Sequence, residues 1–168
     1  MRLVEGVAAV DDLDAFLGDL DRVGSEYGCT VQAFDARYVV DRTHLRRALD
    51  LADRARARGE NVARERAVEV LLYAAGRRQI DESLTMGVSE GETPVVVLVA
   101  GSAESVAGDE TAASDAVADL LRPAETLGAY DEELVRAFFD VGDTELTATD
   151  ATLADLVHER VALLDVSK

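Results

Sequence analysis

The apolar positions in the first 40 residues predict a strand, a helix and a second strand. Residues 3–10 are mostly apolar and read as the first strand. A capping residue, Asp11 or Asp12, precedes the helix, whose apolar positions repeat every three or four residues: Leu13, Phe16, Leu17 and Leu20. Residues 29–34 predict the second strand, with residues 38–40 as a candidate extension, and glycines 24 and 28 mark the loop before it.

The next apolar stripe predicts an amphipathic helix that starts at Asp41 or Thr43 and ends at Gly59. Its apolar residues have helical spacing: Leu45, Ala48, Leu49, Ala52 and Ala55. The opposite face is rich in arginine. This helix is therefore expected to bury one side and to present a charged side to solvent.

A second helix is predicted at residues 62–75, with Asn61 as its cap. From residue 67 it is apolar on nearly every side, which is typical of a buried helix. Gly76 ends it, and residues 77–86 predict a further short helix that Gly87 stops.

Residues 93–100 are the clearest strand, because their continuous apolar sequence indicates a strand covered on both faces. Pro94 suits the first position of that strand. Residues 102–121 are predicted to contain a helix, with a candidate break at 108–110, and residues 121–127 a short last strand.

Two helices are predicted near the end of the chain. The first spans residues 131–139, with Leu134, Val135, Phe138 and Phe139 inward. The last follows a cap at Thr149 or Asp150 and buries Leu153, Leu156, Val157, Val161 and Leu164. Together these elements predict an α/β (α+β) fold in a single domain, residues 1–168, with a small mixed or antiparallel sheet of about four strands covered by several helices.

Charge is distributed unevenly along the chain. The sequence has 34 acidic and 17 basic residues, a net charge of −17, and Lys168 is the only lysine. Residues 42–78, called the basic segment below, hold ten arginines and only five acidic residues, a net charge of +5. The arginines are Arg42, Arg46, Arg47, Arg54, Arg56, Arg58, Arg64, Arg66, Arg77 and Arg78. Such a segment in an acidic protein indicates an anionic partner.

The acidity has two explanations. A negative field could repel or mimic nucleic acid, or it could keep the protein dispersed in a salt-rich cytoplasm such as that of a halophilic archaeon. The acidic residues are dispersed, which favours the second explanation. Cys29 is alone, no apolar run approaches the ~20 residues of a membrane span, and the first residues have no signal-peptide pattern. We therefore expect a soluble, cytoplasmic protein.

The sequence contains no catalytic motif. There is no glycine-rich phosphate loop, dinucleotide fingerprint or nucleophile elbow. His44 and His158 are far apart without metal-ligand spacing, and both are read as surface or capping residues. We expect no enzymatic activity, no cofactor and no metal.

Glu69 interrupts the apolar sequence of the second middle helix. A buried carboxylate needs a partner, which Arg66, Arg77 or Arg78 could supply. The prediction is a structural ion pair at Glu69, with a direct ligand contact as the alternative.

Arg77, Arg78 and Gln79 follow Gly76 at the start of a predicted helix. Guanidinium and amide groups beside free backbone N–H groups can bind phosphate or read unpaired base edges. A helix junction with solvated arginines is an equally weighted alternative. In a salt-rich cell phosphate contacts alone bind weakly, so a short single-stranded RNA end fits better than a long duplex.

One extended motif resembles a known family. It reads Gly59-x-Asn61-x-Ala63, then Glu69-x-Leu71-Leu72-Tyr73-Ala74-Ala75-Gly76-x-Arg78-Gln79-Ile80, then Gly87-Val88. This is similar to the small non-catalytic subunit of the KEOPS complex, the PRPK-binding-protein (TPRKB) family, in a form of haloarchaeal type. The order of elements agrees over most of the chain.

The resemblance implies a role in making threonylcarbamoyladenosine (t6A) in tRNA. In that family the subunit binds the kinase/ATPase subunit of the complex, and through it the threonylcarbamoyl transferase subunit, and it captures the single-stranded 3′ CCA end of tRNA. Carried over by position, the RNA-facing residues are Asn61, Arg64, Arg78, Gln79 and Ile80, to which the reasoning above adds Arg77. The alternatives are a pure protein–protein adaptor that activates the kinase without RNA contact, and a small-molecule enzyme.

Overall fold

Four strands form one antiparallel sheet in the residues that the structure describes, 1–102 and 108–167 of this computed structural model. Their bounds are β1 Arg2–Val10, β2 Cys29–Asp35, β3 Gly91–Gly101 and β4 Arg122–Pro123. The order across the sheet is β2-β3-β1-β4, so β2 and β4 are the edge strands. The predicted fold class, a small sheet of about four strands covered by helices, is confirmed.

Eight α-helices lie in the same described residues. Their bounds are α1 Leu13–Tyr27, α2 Arg42–Ala57, α3 Arg66–Ala75, α4 Ile80–Ser83, α5 Glu110–Ala118, α6 Glu132–Phe138, α7 Asp143–Ala148 and α8 Leu153–Ser167. Two 3₁₀ helices, Ala36–Tyr38 and Leu84–Met86, connect some of them.

Both faces of β3 are buried under helices. Its residues alternate between two apolar cores: Val96, Leu98 and Ala100 on one face, and Val95, Val97 and Val99 on the other. Helices α2, α3 and α8 pack on the first face, and α1 and α5 pack on the second. The continuous apolar sequence of this strand therefore reflects a sheet that is covered on both sides.

Capping residues fix the ends of the helices near the basic segment. The side chains of Asp12 and Asp41 each accept a backbone N–H group of the first turn of α1 and α2. Gly28 and Gly76 end α1 and α3 in the left-handed conformation, with φ of 66° and 62°. Aspartate caps predicted the starts of α1 and α2, and Gly76 predicted the end of α3.

Two predicted boundaries near β2 are wrong. Helix α1 continues through Gly24, which is glycine because a Cβ there would lie 2.7 Å from the Cys29 carbonyl oxygen, and not because a loop passes through it. Residues 38–40 do not extend β2. The Asp35 carboxylate accepts the Arg37 backbone N–H group at 3.0 Å and turns the chain into a 3₁₀ helix.

Differences in the second half have similar local causes. Pro94 is the fourth residue of β3, at a point where β2 no longer pairs with that strand. The last helix is capped by Thr152, which exchanges hydrogen bonds with Asp155, and α7 before it was not predicted. The predicted helix at 102–121 is confirmed as α5, although residues 103–107 of that prediction lie outside the described residues.

Candidate nucleic-acid interface

A buried carboxylate holds the segment between α2 and α3. The Glu69 side chain is 0% exposed and accepts the Val62 N–H group at 3.1 and 3.2 Å and the Ala63 N–H group at 3.0 Å. The Asn61 amide donates to the Ala63 carbonyl at 2.8 Å. Because these bonds fold residues 59–65 back onto the first turn of α3, the helix starts at Arg66, and the predicted cap at Asn61 is wrong.

Arg66 ties α3 to its neighbours. Its Nε and Nη2 atoms donate to the two carboxylate oxygens of Asp53 on α2, at 2.7 and 2.8 Å. Its Nη1 atom donates to Thr30 Oγ1 at 3.2 Å and to the Gly101 carbonyl at 2.8 Å. The ion pair at Glu69 stays a prediction, and the backbone amides of Val62 and Ala63 are among the partners of its carboxylate.

Arg77 packs α6 against the end of α3. Its Nη2 atom donates to the Phe138 carbonyl at 2.5 Å, and its guanidinium carbon lies 4.8 Å from the centre of the Phe138 ring. Its Nη1 atom is 3.6 Å from a carboxylate oxygen of Glu82. These contacts assign Arg77 to a helix junction, and its predicted RNA contact stays a prediction.

The next three predicted residues lie on the surface. Arg78, Gln79 and Ile80 are all exposed, at the point where α4 begins. The Gln79 carbonyl accepts both the N–H and the hydroxyl of Ser83, which shapes the single turn of α4. The side chain of Ile80 is exposed by 44%, which is unusual for a residue of this size and type.

The predicted residues fall into two groups at opposite ends of α3. Asn61 and Arg64 precede this ten-residue helix, and Arg78 to Ile80 follow it. A helix of that length extends about 15 Å. The structure therefore does not gather the six residues at one point, although both groups lie beside the same helix.

A groove lies beside α3 and borders residues next to both groups. This α3 groove has a volume of about 520 Å³ and lies between α1, β2, α3 and residues 80–88. Its apolar lining includes Leu13, Leu17, Val31, Ala33, Val68, Leu71, Ile80, Leu84 and Val88. Glu65 and Ile80 both line it, so the groove borders residues next to each group of predicted residues.

The α3 groove combines apolar walls with charges at its border. Leu17 and Leu84 are exposed by 40% and 58%, so the walls are open to a ligand. Asp21, Gln32 and Glu65 are its polar lining residues. Such a groove suits flat apolar groups, for example nucleobases, better than phosphates, because the two carboxylates repel anions.

His44 is a buried residue that the sequence reading placed on the surface. Its side chain is 0% exposed; Nδ1 accepts the Val40 N–H group at 3.3 Å, and Nε2 lies 2.7 Å from the Ala74 carbonyl, to which it donates. Burial lowers the pKa of His44 to about 4. The missed signal is its spacing from Ala48 and Ala55, four and eleven residues on, which places it on the buried stripe.

Within residues 1–102 and 108–167, no group of three or more His, Cys, Asp or Glu side chains is placed to hold a metal ion. None of the described helices is long and apolar enough to cross a membrane.

Comparison with known proteins identifies the family. The model of the family described as kinase binding protein CGI-121 matches residues 18–165. No curated protein matches the chain. The matched range includes all of α2 and α3, most of α8, and the residues of the α3 groove from Leu20 onward. Since it covers most of the sequence, the chain belongs to the kinase binding protein CGI-121 family.

Proposed function

We propose that this protein is a non-catalytic subunit of a KEOPS complex that binds the kinase/ATPase subunit and the single-stranded 3′ CCA end of tRNA, in support of t6A modification. Membership of a kinase-binding family supports the first contact. The observation that carries the second is the α3 groove, an apolar channel lined by Glu65, which follows Arg64, and by Ile80, two residues after Arg78.

The geometry suits an unpaired strand laid along α3. Bases turned inward would pack their flat faces against aliphatic side chains such as Val68 and Ile80. Phosphates turned outward would avoid Glu65 and reach the exposed guanidinium of Arg78. Apolar base contacts persist in strong salt, in which phosphate contacts weaken.

The kinase contact requires a different surface. On α8, Leu163 and Val166 lie one turn apart and are exposed by 49% and 81%. Exposed apolar side chains that adjoin on one helix are candidates for a protein contact. We assign them to the kinase contact, which leaves the α3 groove free for RNA.

The test compares tRNA and kinase binding in one set of variants. Purified protein is titrated with intact tRNA and with tRNA trimmed of its 3′ CCA in molar KCl, and binding to the kinase subunit is measured separately. Binding that needs the CCA end, and that falls at least about tenfold in Arg78→Glu, is expected from the loss of a charged phosphate contact. Arg22→Glu, an exposed arginine on α1, is the matched control.

The alternative is a pure adaptor that activates the kinase without touching RNA. It predicts no tRNA binding by any variant and no effect of Arg78→Glu on the kinase. Leu163→Glu should weaken kinase binding under both readings. Equal binding of intact and trimmed tRNA would refute recognition of the 3′ end.

A further inference from the structure

Helix α2 presents an arginine-rich face to solvent. Five arginines on the helix and a sixth at its C-cap, together called the six arginines on α2, are all exposed: Arg42, Arg46, Arg47, Arg54, Arg56 and Arg58. Its two acidic residues are Asp50 and Asp53, and the carboxylate of Asp53 is already bound by Arg66. Asp50 is therefore the one carboxylate on this helix that is left to oppose six guanidinium groups.

These arginines differ from most others in the chain in their pairing. Each of seven arginines outside α2 has a carboxylate oxygen within 4.0 Å: Arg22, Arg37, Arg66, Arg77, Arg122, Arg136 and Arg160. In the described part of the chain none of the six on α2 has one, although Asp50 lies one turn from both Arg46 and Arg54. The protein has twice as many acidic as basic residues. The positive charge of this helix is therefore left without nearby carboxylates in a chain that has many of them.

We infer that this face of α2 binds the sugar–phosphate backbone of a nucleic-acid duplex. The inference rests on the proposed function, of which it names a second contact: the paired stem next to the single-stranded end. At about 100° per residue the six guanidinium groups form two rows that flank Asp50, one with Arg42, Arg46 and Arg56 and one with Arg47, Arg54 and Arg58. Each row carries three positive charges, and one strand of a duplex offers a phosphate charge about every 3.4 Å.

The residue type fits the same partner. A planar guanidinium group can donate two parallel hydrogen bonds to one phosphate, which an ammonium group cannot do. Arg47, Arg54 and Arg58 lie on one side of the helix, at spacings of seven and four residues, and form a row about 16 Å long. A row of this kind can follow successive phosphates.

The fold connects this face to the α3 groove. Helix α2 ends at residue 57, and the segment that Glu69 holds leads directly from there to Arg64 and Glu65 at one end of the groove. The bond between Asp53 and Arg66 fixes the last turns of α2 against the start of α3. A stem on α2 therefore has its unpaired end beside the groove. This adds a duplex contact to the single-stranded contact that the sequence alone favoured.

The experiment uses the full-length chain and three RNA probes: a hairpin with a 3′ CCA overhang, the same hairpin with a blunt end, and a short single strand ending in CCA. The variant is Arg47→Gln, Arg54→Gln and Arg58→Gln combined. Its control is Arg2→Gln, Arg22→Gln and Arg122→Gln combined, which removes the same charge from exposed arginines elsewhere. Circular dichroism verifies that both fold.

The α2 variant should bind the overhang hairpin at least about tenfold more weakly, whereas the control changes little. In the α2 variant the slope of the logarithm of the binding constant against the logarithm of the salt concentration should be less steep by about two to three. Its binding to the short strand should equal that of the unchanged protein. Equal losses in both triple variants, or no loss in either, would overturn the inference and leave end recognition intact.

The remaining outcomes separate the two proposals. Salt-sensitive binding of the blunt hairpin that the α2 variant loses, without any gain from the overhang, would support the α2 contact and refute end recognition. Binding of no RNA by the unchanged protein would refute both. A loss of kinase binding in the α2 variant with RNA binding unchanged would assign this face to an acidic protein and overturn the inference.

Discussion

Acidification should destabilise this protein well above the range in which carboxylates titrate, and His44 is the reason. The buried ring accepts one hydrogen bond at Nδ1 from Val40 and donates another from Nε2 to Ala74. A proton can be added only at Nδ1, where it would point at the Val40 N–H group. The charged form therefore loses a hydrogen bond in addition to its hydration, which agrees with the pKa of about 4 in the folded state.

Proton linkage gives the direction and the size of this change in stability with pH. The unfolded chain binds a proton at His44 below its ordinary pKa of 6.5, whereas the folded protein does so only near pH 4. The contribution of the buried, neutral His44 to stability is therefore fully present above pH 6.5 and is lost as the pH decreases from 6.5 toward 4. Relative to pH 7.5 the loss is about 2 kcal/mol at pH 5 and about 3 kcal/mol at pH 4.

Carboxylates with lowered pKa act at lower pH. Backbone and side-chain hydrogen bonds lower the pKa of Glu110, Glu145 and Asp155 from their ordinary values of 4.5, 4.5 and 3.8. Their contributions are present above those values and are lost below them. These three carboxylates therefore act mainly below the interval between pH 7.5 and 5 in which His44 is tested.

Urea unfolding measured by circular dichroism at constant salt tests this reasoning, with His44→Gln as the comparison. The glutamine amide can replace the donor to Ala74 but does not titrate. The variant should be less stable at pH 7.5, and the difference from the unchanged protein should shrink by about 2 kcal/mol at pH 5. Acidic side chains that are protonated as the pH falls are common to the unchanged protein and the His44→Gln variant, so their effect cancels in the comparison. Identical pH dependence of the two free energies of unfolding would refute the argument.

Two further predictions concern stability at pH 7.5. Glu69→Ala should lower the free energy of unfolding by about 3 kcal/mol, because it leaves two backbone N–H groups without their charged acceptor. Glu69→Gln should lower it by less. A loss under about 1 kcal/mol in the alanine variant would contradict the role of this carboxylate in holding the loop. Thr152→Ala should lower the free energy of unfolding by about 1 kcal/mol, because α8 loses its cap. Thermal unfolding measures this loss. The control is Thr144→Ala, at an exposed threonine on α7, for which little change is expected.

The sheet and most helices follow from short-range patterns. Helix α2 was predicted nearly to the residue, because an aspartate cap and an apolar stripe with the helical period agree there. Strand β3 was predicted from continuous apolar residues alone. In these elements local preference and tertiary packing favour the same conformation, so periodicity suffices.

The boundaries that failed depend on contacts between distant positions. The start of α3 is set by a side chain seven residues after Val62, which no local cap signal reveals. The burial of His44 depends on a carbonyl thirty residues away. For the candidate site, the sequence indicated the residues at both ends of α3, but not the groove between them, because its walls come from α1, β2 and the segment after α4.

The clamp formed by Glu69 has a consequence for the entropy of ligand binding. Free loops lose about 1–2 kcal/mol per residue when a ligand fixes their backbone. The Glu69 carboxylate inside α3 already holds the Val62 and Ala63 amides in the unbound protein, and the Asn61 amide donates to the Ala63 carbonyl, so this part of the loop is held in one conformation. Arg64, which follows directly, is therefore presented on a preorganised loop, and a ligand in the α3 groove would keep interaction energy that a flexible loop would spend on becoming ordered.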